Sequence, residues 1–135
     1  MDRELFEAAK AVRLRAHAPY SNFLVGAALR TTDGSIHAGA NVENASYPEG
    51  WCAEPSAIAH MIAAGSVLSG RRIAAITCVA EPIGGRPTTP CGGCRQRIAE
   101  FGDPETLVHC LSPEGVGQTW TLAELLPGAF SMATS

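Results

Sequence analysis

The strongest constraint on this chain is a set of three cysteines carried by two short elements, Cys52-Ala53-Glu54 and Pro90-Cys91-Gly92-Gly93-Cys94. Each element opens a segment of helical pattern: Ser56 to Ala64 is an apolar run closed by Gly65, and Arg95 to Phe101 follows Cys94. Pro55 suits the first turn of its helix, because a proline there removes an amide hydrogen that has no intrahelical partner. A helix N-terminus carries partial positive charge, which lowers a thiol pKa and favours the thiolate a metal needs. A fold in which both helix starts face one point therefore brings three prepared ligands together.

Three ligands differ from four. Structural zinc sites are closed by four side chains, whereas catalytic sites leave a position for water. Glu54 is too close to Cys52 to be a comfortable ligand beside it, but it is well placed to hydrogen-bond a bound water and carry its proton. Two plainer readings stand beside this one: a non-catalytic structural zinc site completed by Cys78 or Cys110, and a redox pair at Cys91 and Cys94. Neither gives Glu54 a role at its fixed distance from Cys52. Cys78 and Cys110 fall in segments of strand pattern and read as small buried hydrophobes. His17, His37, His60 and His109 are scattered without metal spacing and read as surface or satisfied structural residues.

The remaining pattern implies an α/β sandwich whose sheet mixes an antiparallel hairpin with parallel crossovers. Residues 2 to 16 carry apolar positions at helical spacing behind Asp2, a suitable N-cap. Phe23 to Thr31 and Ser35 to Asn41 form strands around the Asp33-Gly34 turn. Val42 to Trp51 has a loop composition, Ile73 to Ala80 and Leu107 to Leu111 read as further strands, and Thr121 to Leu125 as a short helix before Pro127. With 135 residues, 46 % of them hydrophobic, one domain over residues 1–135 can close a single core. A formal charge of −3 argues against a nucleic-acid partner, since duplex binding neutralises many phosphates. No apolar run reaches the roughly 20 residues that span a bilayer, and the first segment lacks a signal-peptide pattern. The expectation is a cytoplasmic protein with reduced thiols, which the odd count of five cysteines also favours.

A His or Cys, one residue, Glu, and then Pro-Cys-x-x-Cys is the zinc deaminase arrangement, with the glutamate as proton shuttle and not as ligand. Beyond it, Ala18-Pro19-Tyr20-Ser21-Asn22-Phe23, Val25-Gly26-Ala27-Ala28-Leu29 and Asn41-Val42-Glu43-Asn44-Ala45-Ser46-Tyr47-Pro48 closely resemble the small homotetrameric cytidine deaminases, over nearly the whole chain. The resemblance implies a three-layer α-β-α sandwich on a mixed sheet of about five strands, Zn²⁺ as cofactor, and a small-molecule nucleoside as substrate. It implies hydrolytic deamination of cytidine or deoxycytidine by zinc-bound hydroxide, with Cys52, Cys91 and Cys94 as ligands and Glu54 as shuttle. Asn41 and Glu43 would hold the ribose hydroxyls, Phe23 would pack on the nucleoside, and the Ala53 backbone would bond the exocyclic amine. Gln96 matches a position close to the zinc thiolates. Phe130, in a tail resembling the family's C-terminal segment, would complete the site of a neighbouring subunit in a homotetramer.

One departure stands out. Where the family usually continues Cys-Ala-Glu with an arginine that partly neutralises the sulfurs, this chain has Pro55. Zinc on three thiolates carries a net charge of about −1, which weakens it as a Lewis acid. The compensation is expected from the two helix N-termini, alone or with another arginine. The change also bears on substrate choice, because relatives on this scaffold act on modified bases or aminonucleoside antibiotics.

Overall fold

In the computed structural model, residues 1–65 and 68–132 are described. The chain opens with α1 (Arg3–Arg13), capped by the Asp2 carboxylate accepting from the Leu5 amide at 3.2 Å. Arg30 grips the same carboxylate with two bonds of 2.9 and 3.2 Å, and this pairing holds the Asp2 carboxyl below its usual range. A cap of this type is worth about 1 kcal/mol. The helix stops at Arg13, short of Ala16, and a turn leads into the loop 18–25.

Strands β1 (Gly26–Thr31) and β2 (Ile36–Ala40) form the expected antiparallel hairpin. Phe23 to Val25, expected as part of β1, lie outside it. Asn22 adopts φ +58°, which a short polar side chain tolerates. The Asn41 side chain then takes the place of ladder bonds, accepting from the Val25 amide and donating to the Phe23 carbonyl, both at 2.9 Å. Helix α2 (Ala53–Ala64) follows, then β3 (Ile73–Val79), α3 (Gly92–Phe101), β4 (Leu107–Leu111), β5 (Gly117–Thr121) and α4 (Leu122–Leu125). Thr121 and Glu124 close a reciprocal capping box at the start of α4.

The sheet order is β2-β1-β3-β4-β5. Both β2 and β3 run antiparallel to β1, and β3 is parallel to β4. Hence β2 and β3 point the same way, and the helices that leave their C-terminal ends, α2 and α3, start from one edge of the sheet. Alternate side chains of each strand face opposite sides. Ala27, Leu29, Ile76 and Cys78 join Ala57, Met61 and Ile98 in one core, while Ala28 and Val79 join Leu5, Phe6 and Ala9 of α1 in the other. The molecule is accordingly a three-layer α-β-α sandwich on a mixed five-stranded sheet.

Helix α2 lies directly on β2 because Gly39 has no side chain. A Cβ there would stand 2.6 Å from Cβ of Ser56 and would collide with the Ala57 amide nitrogen. Cys78 and Cys110 face each other across β3 and β4, both buried and free. His109 is buried and bonded to Thr119 at 2.7 Å. His37, expected to be a surface or satisfied structural residue, is instead buried beside His60, and its Nδ1 has no hydrogen-bond partner among the described residues. No helix among the described residues is long and apolar enough to cross a membrane.

Candidate active site

Cys52 and Cys91 are the N-cap residues of α2 and α3, and neither side chain makes a capping hydrogen bond. Serine or aspartate at such a position would turn its oxygen onto the helix amides. Here the sulfurs remain free to face outward, while the uncapped amides supply positive potential. Cys94, in the first turn of α3, completes the group. Its sulfur lies 3.4 Å from that of Cys91, and all three sulfurs lie within 4.8 Å of one another. Zinc–sulfur bonds of about 2.3 Å at tetrahedral angles need sulfurs about 3.8 Å apart, so the triad fits zinc with only small adjustments. Among the described residues, no fourth ligating side chain joins it. Cys78 and Cys110 stay in the strands, so the site completed by either of them does not form.

One thiol of the triad is electrostatically prepared. The Cys94 thiol donates toward Cys52 and lowers it to about 6, with help from Cys91 and Arg97 against the cost of burial. Cys94 moves the other way, held protonated beside that thiolate. Glu54 is 5 % exposed. Burial pushes its carboxyl up to about 7, the Cys52 thiolate adds to the rise, and its own backbone amide and Arg97 oppose it. A carboxyl balanced near neutrality accepts and releases protons with little bias, as general acid–base chemistry requires.

A cavity of about 320 Å³ opens over these groups, within the size range of small-molecule sites. Phe23, Asn41, Glu43, Ala53 and Glu54 line it with the three cysteines, so eight of the ten residues singled out from sequence are brought together. Glu43 is anchored by the turn before Phe23: it accepts from the Tyr20 and Ser21 amides at 2.9 and 3.1 Å and from the Ser21 hydroxyl. These bonds, the hydroxyl's above all, keep its carboxyl below the usual range. Carboxylate and amide oxygens each accept more than one bond, so Glu43 and Asn41 hold the loop and retain capacity toward the cavity.

Phe130 and Gln96 lie elsewhere. Phe130 is 70 % exposed and borders a larger hollow of about 410 Å³ between α3, α4 and the tail. Among the described residues no cysteine or histidine lines that hollow. The Gln96 amide donates to the Phe130 carbonyl at 3.2 Å and makes no bond to a cysteine sulfur among the described residues. Sequence reasoning also missed Ser21, Val25, Thr88 and Thr89, which complete the cavity wall. Ser21 and Val25 sit inside the quoted motifs, but Thr88 and Thr89 belong to a Gly/Pro-rich connection with no chemical signal of its own. Arg95, unremarked in the sequence, clamps the metal arm: its guanidinium donates to the carbonyls of Pro90 and Leu125, both at 2.7 Å, and to the Thr89 hydroxyl at 3.0 Å.

Comparison with known proteins agrees with this geometry. The pattern of the cytidine and deoxycytidylate deaminase zinc-binding region matches residues 1–110. A cytidine deaminase of Halalkalibacterium halodurans is 45 % identical over 132 residues, covering 97 % of this chain and 96 % of that protein. One from Sporosarcina psychrophila is 42 % identical, covering 97 % and 93 %. The crystal structure of cytidine deaminase from Burkholderia pseudomallei superposes with a TM-score of 0.86 at 45 % identity, over 96 % of this chain and 99 % of that one. Two helix starts gathering three sulfurs beside a buried glutamate, in a chain matched almost end to end by such relatives, place it in the cytidine and deoxycytidylate deaminase zinc-binding family.

Proposed function

We propose that this protein hydrolytically deaminates cytidine and deoxycytidine to uridine and deoxyuridine. The observation that carries this is the Glu54 carboxyl, buried and poised near neutrality, beside three converging sulfurs that no fourth side chain among the described residues completes. Cys52, Cys91 and Cys94 would hold zinc, which when bound supplies Lewis acidity that makes a coordinated water nucleophilic near neutral pH. Glu54 would take a proton from water at its carboxylate and return it to the amine nitrogen, while the ring carbon gains the water oxygen and loses its bond to that nitrogen, so that ammonia departs as a neutral molecule. The Ala53 backbone bonds the exocyclic amine, Phe23 packs against the nucleoside, and Asn41 and Glu43 receive the ribose hydroxyls. A substrate lacking that diol would leave these two polar groups poorly partnered. The protein would act in the cytoplasm, where its thiols stay reduced.

The test is ammonia release by the zinc-loaded protein from cytidine and deoxycytidine, with methylated cytidines, adenosine, guanine and an aminonucleoside antibiotic as comparators. Turnover of cytidine is expected to lead. Faster turnover of a comparator would reassign the substrate, and no turnover of any of them would overturn the enzymatic reading.

We further propose that the chain works as a homotetramer in which Phe130 reaches a neighbour's cavity. Supporting this, Phe130 lies outside its own chain's cavity, and Val42, Tyr47 and Trp51 are exposed on the segment leading into Cys52. Truncation from Pro127 onward should lower kcat far more than it lowers the melting temperature. Parallel loss of both would mean that the tail merely docks on its own core.

A further inference from the structure

Arg97 follows Cys94 by three residues, so helical spacing puts both on one face of α3, close to its start. Its Nη1 lies 3.9 Å from the Cys94 sulfur. On the other side, its Cζ sits 5.0 Å from the centre of the Trp51 ring, within the range at which a guanidinium is attracted to an indole face. Trp51 immediately precedes Cys52. One cation thus touches both arms of the site, Trp51-Cys52 at the head of α2 and Cys91–Cys94 at the head of α3. Among the described residues no carboxylate forms an ion pair with Arg97, and Arg97 does not line the substrate cavity.

We propose that Arg97 is a positioning and charge-compensating residue of the metal site: seated on Trp51, its guanidinium offsets the excess negative charge of the three sulfurs and ties the two cysteine arms together. The proposal rests on reading the triad as the zinc site of a deaminase. A divalent ion on three thiolates leaves about one unit of negative charge, and an adjacent fixed cation brings the assembly close to neutral. The same field draws electron density from the sulfurs, so they donate less to the metal and leave it a stronger Lewis acid. Trp51 supplies what an exposed guanidinium lacks, a surface that restricts it to one position.

Arg97→Met removes the charge and keeps much of the bulk, while Arg97→Lys keeps the charge. With cobalt in place of zinc, the thiolate-to-metal charge-transfer band reports the energy of the sulfur electrons directly. It should move to longer wavelength in Arg97→Met and return most of the way in Arg97→Lys. In the zinc proteins at equal metal content, kcat should fall about tenfold in Arg97→Met, as for outer-shell partners of metal ligands, with KM within about twofold because Arg97 is not in the cavity wall. Trp51→Leu, which frees the guanidinium, should shift the band in the same direction by less, and it remains informative if Arg97→Met fails to fold. A band that does not move in these variants, or a lysine variant no better than methionine, overturns the proposal. If the parent protein releases no ammonia from cytidine, the deaminase reading fails, while the band comparison still decides what Arg97 does to the sulfurs.

Discussion

Glu54→Gln should lower kcat by about a thousandfold or more, within the range that general acid–base groups contribute, and leave the zinc content of the chain unchanged. The amide keeps the shape and hydrogen-bonding edge of the side chain but can neither take a proton from water nor return one. The substitution should not harm the fold. The carboxyl lies where burial disfavours its charge, so a neutral amide at the same place removes a desolvation cost, and the melting temperature should equal or exceed that of the parent. Ammonia release, metal analysis and thermal melting on one preparation check all three. An active glutamine variant would remove Glu54 from the mechanism, and loss of zinc along with activity would make it part of the metal's support instead.

Removing a sulfur should have the second large effect, and on different observables. Cys94→Ala leaves two thiols, one on each helix start, too few to fill the usual zinc coordination. Because a preformed metal site links binding to folding, zinc should be lost, deamination should become undetectable, and the melting temperature should drop. Cys110→Ala is the matched control. It also deletes a buried thiol, but one held in β4 outside the triad, so it should cost stability and retain both zinc and turnover. Loss of zinc in the control would place Cys110 in the metal site after all.

These two experiments fall on residues that were legible in the sequence, because the chemistry fixes both residue type and spacing. A Cys-x-Glu at one helix start and a Cys-x-x-Cys at another admit few folds, and the topology that aligns β2 with β3 is the one that lets them meet. What stayed hidden was decided by side chains acting on backbone. Phe23 to Val25 have strand-forming residues, yet Asn41 captures their amide and carbonyl groups, so the segment becomes a wall of the cavity. Gly117–Thr121 has little apolar alternation and lies on the sheet edge with its first three residues exposed; pairing with β4 makes it a strand, and that pairing is not local information. From sequence it stayed open whether an arginine joins the helix starts at the sulfurs, and which one. Arg95 and Arg97 are neighbours on α3 with distinct tasks, one spent on carbonyls and the other lying against sulfur and indole.

The bare contact between Gly39 and α2 limits how this pocket can be re-engineered. The start of that helix carries Cys52, Ala53 and Glu54, and it already sits on the strand without clearance, so it cannot be pushed back to admit a bulkier base. Attempts to widen the range of accepted molecules would have to work on the opposite rim, at the side chains of Val25 and Thr88, which line the cavity from irregular chain.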